Sequence, residues 1–142
     1  MSELDLAACS RLKHERLHAA LLARAPFLFE LGLAGCAGLG AVGLVQVCTA
    51  CTRLTSLDLS SIGMGDKGAR KLFDSMCSGE YPSLRALAIA QNEMRDVKVN
   101  GLIEMLRMDE CCLTSLDMSN NAVSGATVMR ALKSNSSLNY LN

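Results

Sequence analysis

Leu54-Thr55-Ser56-Leu57-Asp58-Leu59-Ser60 returns almost letter for letter as Leu113-Thr114-Ser115-Leu116-Asp117-Met118-Ser119. Looser copies begin at Met1 (Met1, Leu4, Leu6, Cys9), Leu28 (Leu28, Leu31, Leu33, Cys36) and Leu84 (Leu84, Leu87, Ile89, Asn92), and another opens at Leu138 and reaches Leu141-Asn142. In register the copies start at residues 1, 28, 54, 84, 113 and 138, spaced 27, 26, 30, 29 and 25 residues apart. Apolar spacing that recurs at such a period marks one supersecondary unit stacked on itself. Each copy opens with an alternation that fits a short strand, and then the period changes. Leu12, Leu17 and Leu21, then Leu39, Leu44 and Val47, then Met64, Leu72 and Met76, then Leu102, Met105 and Leu106, then Val123, Met129 and Leu132 follow helical spacing. Every unit therefore reads as a strand, a turn and a helix.

The recurring LxxLxLxxN/C pattern resembles the leucine-rich repeat superfamily over nearly the whole chain. The first two units, with Cys9 and Cys36 in the ninth slot, resemble its cysteine-containing subclass. The later ones, with Asn92 and Asn121 there and Met64-x-x-x-Gly68 spacing, resemble the ribonuclease-inhibitor-like subclass. The resemblance implies an α/β solenoid of about five repeats plus a partial sixth, with a parallel sheet on the concave side and helices on the convex side. It also implies an interaction scaffold or adaptor rather than an enzyme, with a protein as partner. Ile62 departs from both subclasses, so the side-chain bond made from that slot is expected to be missing in the third unit. Neither terminal unit carries the polar cap that a solenoid end needs. The chain is thus expected to be a segment of a longer repeat protein, or to self-associate end to end.

Half of the 142 residues are apolar, which suffices for one domain over 1–142 and leaves no room for a second. Fourteen basic and fourteen acidic residues cancel, so no global field draws the chain to nucleic acid or an anionic membrane. The opening Met1-Ser2-Glu3-Leu4-Asp5 lacks the features of a secretory signal. Seven cysteines, an odd number in slots that want small apolar residues, read as buried reduced thiols. The expected location is intracellular and cytoplasmic, which leaves the sequon Asn135-Ser136-Ser137 unused.

Three motifs suggest chemistry. His14-Glu15-Arg16-Leu17-His18 matches HExxH, in which two histidines one turn apart bind zinc and the glutamate activates water. This zinc hydrolase is the alternative from another class, but the motif falls within the first repeat's helix and no third ligand follows nearby. Gly38-Leu39-Gly40-Ala41-Val42-Gly43 matches a dinucleotide fingerprint, yet it starts five residues after Leu33 and no βαβαβ half follows. Cys48-Thr49-Ala50-Cys51 is a lone CxxC at a helix C-terminus, where the dipole disfavours thiolate. No catalytic residue, metal or cofactor is therefore assigned. The apolar run from Leu31 to Cys48 divides between strand and helix slots, which argues against a membrane span. A basic run, Arg11, Lys13 and Arg16, is interrupted by Glu15 and has no aromatic neighbour for stacking bases, so no nucleic-acid partner is expected.

The outward strand slots form columns. The third slot reads Glu3, Glu30, Ser56, Ala86, Ser115, Tyr140, and the fifth Asp5, Gly32, Asp58, Ala88, Asp117, Asn142. Stacked at about 4.8 Å, these predict a shallow, mildly negative floor for a basic helix or loop, with Arg85 and Tyr140 as anchors. The candidate partner-binding residues are Glu3, Asp5, Glu30, Asp58, Arg85, Asp117 and Tyr140. A spacer role within a larger solenoid is the other non-catalytic reading.

Overall fold

The computed structural model describes residues 2–96, 100–133 and 135–142, and within them the side chains of His14, Leu22, Gln46, Cys48 and Thr49 lie outside the description. The first repeat's opening residue, Met1, is also outside the described residues. Strands β1 (Ser2–Asp5), β2 (Leu28–Gly32), β3 (Ser56–Asp58), β4 (Ala86–Ala88), β5 (Ser115–Asp117) and β6 (Tyr140–Leu141) alternate with helices. These are α1 (His14–Arg24), α2 (Gly40–Ala50), α3 (Gly65–Cys77), α4 (Asn100–Arg107) and α5 (Gly125–Leu132), with a 3-10 turn over Ala25–Phe27. The six strands form one open parallel sheet in chain order. Neighbouring helices need roughly 8–10 Å between axes while strands need about 4.8 Å, so the sheet takes the inner radius and the helices the outer.

One apolar core runs the length of the stack. Leu31, Leu57, Leu87 and Leu116 pair in direct register and are buried, as are the sixth-slot residues Leu33, Leu59, Ile89 and Met118. From the helix side come Leu17, Leu21, Leu44, Val47, Leu72, Phe73, Leu102 and Leu106. Phe73 fits because Gly101 has no side chain: a Cβ there would sit 2.9 Å from the Cβ of Phe73. The helical stripe holds except in the last unit. Met129 is 68% exposed, whereas Thr127 and Ala131 are buried. Ser124 caps α5 by accepting the Thr127 N–H, and the helix phase that starts there turns residue 129 outward. Nor are all thiols buried: Cys36 and Cys51 are, but Cys9, in the unit of the edge strand β1, is exposed.

Two asparagines, Asn92 buried and Asn121 half-buried, hold the turns after the strands. The Asn92 amide oxygen accepts the N–H groups of Ile62 and Met64, both at 3.2 Å, while its NH2 donates to the carbonyls of Leu59, Ile89 and Ala90. Asn121 repeats the arrangement one unit later, accepting from Asn92 and Met94 and donating to Ile89, Met118 and Ser119. Each asparagine thus satisfies the preceding unit's turn as well as its own. Ile62 makes no such bond from its slot, yet the third unit's turn is held by Asn92 from the fourth. Cys36 does half the task, its thiol donating to the Leu6 carbonyl at 3.0 Å.

The eighth slot carries a backbone constraint that residue types conceal. Ala8, Gly35, Ser61, Gln91 and Asn120 all have φ between 53° and 74°. Only one of the five is glycine, so four repeats carry a side chain in the left-handed region. Opposite outcomes follow for one substitution at two sites. Gly35→Ala, at φ 74° and with its Cβ 3.4 Å from Ala8 Cα, should lose about 1 kcal/mol in denaturant unfolding. Gly125→Ala, at the open first position of α5, should gain about 0.5 kcal/mol. Asn92→Ala should cost about 3 kcal/mol in the same assay, because it orphans several buried backbone groups at once.

Candidate functional site

The strand register brings the predicted columns together. Glu3 pairs with Glu30, Glu30 with Ser56, Ser56 with Ala86, Ala86 with Ser115 and Ser115 with Tyr140. Alongside, Asp5 pairs with Gly32, Gly32 with Asp58, Asp58 with Ala88 and Ala88 with Asp117. Each column faces away from the buried leucines because strand side chains alternate.

The carboxylates are unevenly spread. Glu3, Asp5, Glu30 and Asp58 lie together over β1 to β3, with the two glutamates side by side. Asp117 is separated from them by the alanines of β4. Gly32 gives the Asp5 carboxylate its space: a Cβ there would meet Asp5 Oδ1 at 2.8 Å. Tyr140, 55% exposed on β6, closes the far end of the third-slot column. Arg85 is exposed but precedes β4, and its place at the strand entry keeps it out of both columns. Its carbonyl, not its guanidinium, ties it to the next unit, accepting the N–H groups of Thr114 and Ser115.

The aspartates have a second duty that the sequence reading did not find. Asp5, Asp58 and Asp117 each accept the backbone N–H two residues on, from Ala7, Ser60 and Ser119, at 2.9 to 3.0 Å through Oδ1. These Asx turns end the strands and take up one carboxylate oxygen of each aspartate, and Asp117 is further engaged by the Ser119 and Asn142 side chains. The repeated Asp-x-Ser of the third and fifth units was the available signal.

The motifs with chemical resemblance take structural places. The backbone N–H groups of Leu39, Gly40 and Gly43 donate to Cys36, Ile62 and Leu39 carbonyls, so they do not converge on a phosphate. Gly38 lets the loop approach the preceding unit, where a Cβ would come 3.1 Å from the Leu12 carbonyl oxygen. Glu15 is exposed and His18 half-buried, while the His14 side chain lies outside the described residues. Among the described residues no group of three or more His, Cys, Asp and Glu side chains is placed to hold a metal. Cys51 is buried at the end of α2, and the side chain of its CxxC partner Cys48 lies outside the described residues. Burial pushes the Cys36 and Cys77 thiols up, which keeps them protonated. No helix among the described residues is long and apolar enough to cross a membrane.

A feature away from the strand columns was not anticipated. The loops from α3 to β4 and from α4 to β5 belong to the two longest repeats, and between them lies an apolar hollow of about 450 Å³. Met76, Tyr81, Leu84, Met105, Met108 and Cys111 line it.

The Asp117 bond gives a pH test. The Ser119 backbone N–H holds the Asp117 carboxyl below the usual carboxylate range, against an opposing effect of burial. A carboxyl depressed on folding stabilises the protein above its unfolded pKa, about 3.9, and that stability is lost as pH falls through the lower folded value. Asp117→Asn keeps the acceptor oxygen and removes the titration. Thermal melts should therefore fall less steeply below about pH 4 in the variant than in the parent, and parallel curves would contradict the assignment.

Residues 50–73 and 110–126 match the family model described as Leucine Rich repeat. These segments contain the two near-identical copies, with β3 and much of α3 in one and β5 with the start of α5 in the other. Among curated proteins nothing matches the sequence. The architecture is that of an α/β leucine-rich repeat solenoid, and together with the two matches it supports a place for this chain in the leucine-rich repeat superfamily.

Proposed function

We propose that the chain is a non-catalytic protein-interaction module whose sheet face receives a basic segment of a partner. Leucine-rich repeats generally mediate contacts between proteins, and the charge of this sheet narrows the kind of partner. All five charged residues within the six strands are acidic: Glu3, Asp5, Glu30, Asp58 and Asp117.

The observation that carries the reading is the direct pairing of Glu3 with Glu30. Like charges opposite one another on a sheet are destabilising, and no basic residue in the strands offsets them. A lysine or arginine brought by a partner relieves that repulsion and gains from it. Asp5 and Asp58 on either side of Gly32 extend the acidic floor, while Ala86 and Ala88 leave it shallow enough for a helix or loop to lie on. Tyr140 supplies a large amphipathic contact at the far end, and Arg85 lies beside the strand entries as the rim. Asp117 belongs to the margin of this site, since β4 separates it from the other four.

Glu30→Gln tests stability and binding together. Removing one of the paired charges should raise the stability of the free chain by about 0.5 kcal/mol. The same change should weaken binding of a synthetic arginine-rich helical peptide roughly fivefold and flatten its salt dependence. A variant that gains stability but binds that peptide as the parent does would move the site off the sheet.

A further inference from the structure

We propose that the helix face carries a second docking surface of opposite polarity, centred on Val42 and Val45 of α2, which takes an acidic amphipathic helix from a protein partner. The net charge of zero conceals a separation of charge. The strands carry only carboxylates, whereas basic residues outnumber acidic ones in the helices. The excess is clear in α1 and α3, where Arg16, Arg24, Lys67, Arg70 and Lys71 stand against Glu15, Asp66 and Asp74. Asp66 is already engaged, 3.3 Å from Arg95, and Asp74 makes only an exposed pair with Arg70 at 3.8 Å.

Between those two charged helices lies one without any charge. α2 reads Gly-Ala-Val-Gly-Leu-Val-Gln-Val-Cys-Thr-Ala. Its buried side is Gly43, Leu44 and Val47, so Val42 and Val45 point outward, 57% and 36% exposed. The three helices share one phase. Leu17, Gly43 and Gly68 occupy the fourth position of each and are buried, and Leu21, Val47 and Leu72 do so at the eighth. By the same alignment Val42 lies between Arg16 and Lys67, and Val45 between Ala19 and Arg70, all four exposed. The result is an aliphatic centre between cationic walls.

That arrangement selects its occupant. An apolar stripe on a helix would cover the valines while carboxylates on its flanks reach the arginines and the lysine. Crossing three packed helices takes roughly 20 Å, the length of about 13 helical residues. A flat anionic membrane fits less well, because a convex face meets a plane along a narrow line. With a basic segment on the sheet and an acidic helix on the outer surface, the two faces would join two partners without competition.

The probe is a synthetic peptide with leucines at helical i, i+3, i+4 and i+7 positions and glutamates elsewhere, titrated against the full chain by fluorescence anisotropy beside its lysine counterpart. The glutamate peptide should bind, and Val45→Asp and Lys67→Glu should each weaken it about tenfold. Both substitutions are at exposed positions, and melting curves matching the parent's confirm that folding is kept. Glu30→Lys on the sheet should leave the glutamate peptide's affinity unchanged while it abolishes binding of the lysine peptide, so the two faces fail separately. No binding of the glutamate peptide by the parent, or equal losses in Glu30→Lys and Lys67→Glu, overturns the proposal. Sedimentation of the chain with phosphatidylserine vesicles, without affinity for the peptide, overturns it in favour of a membrane.

Discussion

The side-chain amides of Asn92 and Asn121 are the interaction on which the rest of this structure depends. A strand that must turn sharply every repeat exposes backbone N–H and C=O groups to a dry interior, and leaving them unpaired costs more than a typical hydrogen bond returns. One amide, with an acceptor and two donor hydrogens, reaches both its own turn and the turn of the neighbouring unit. The bond is therefore also a clamp between repeats, and it locks the turns that follow β3, β4 and β5 to one another. The first units use a different solution, in which the Cys36 thiol donates to the Leu6 carbonyl and provides no acceptor comparable to an amide oxygen. Stability in a solenoid is a sum of nearest-neighbour terms, so the amide-clamped interfaces should hold more tightly than the thiol-clamped one.

Once register is set, the placement of charge follows. Parallel in-register strands align equivalent slots, and a residue repeated in sequence becomes a row in space. Glu3 beside Glu30, and Asp5 and Asp58 on either side of Gly32, arise in this way. The aspartates show how one residue serves fold and surface together: Oδ1 closes an Asx turn while Oδ2 contributes negative potential. The glutamates take no such part in the turns, which leaves Glu3 and Glu30 as the side chains whose charge most needs an explanation outside folding.

Much of this was legible in the sequence because repetition supplies an internal alignment. The six strand positions, the buried leucine column and both outward columns could be read by laying six copies over one another. What escaped depended on properties that residue type does not encode. Ala8, Ser61 and Gln91 look unremarkable yet share a left-handed backbone with Gly35 and Asn120. Met129 has the right chemistry for the core, but the cap at Ser124 sets a different helix phase. Val42 and Val45 were given no place by the helical stripe, and the outer side falls to them because Gly43, Leu44 and Val47 take the inner one. Cys9 was placed with the buried thiols because its slot is buried in the second unit, yet in the unit of the edge strand it is exposed. Arg85 appeared adjacent to the floor in sequence, but strand alternation begins one residue after it.

The central claim is that the acidic sheet, rather than the loops or the helices, meets a basic segment. Backbone amide chemical shifts of the isotope-labelled chain, followed by NMR during titration with an arginine-rich helical peptide, test it most directly. The account predicts perturbations concentrated at Glu3, Glu30, Gly32 and Asp58, fading across Ala86 and Ala88, with α1 to α3 unmoved. Shifts confined to the helices or to the loops before β4 and β5, with the strand residues silent, would contradict it.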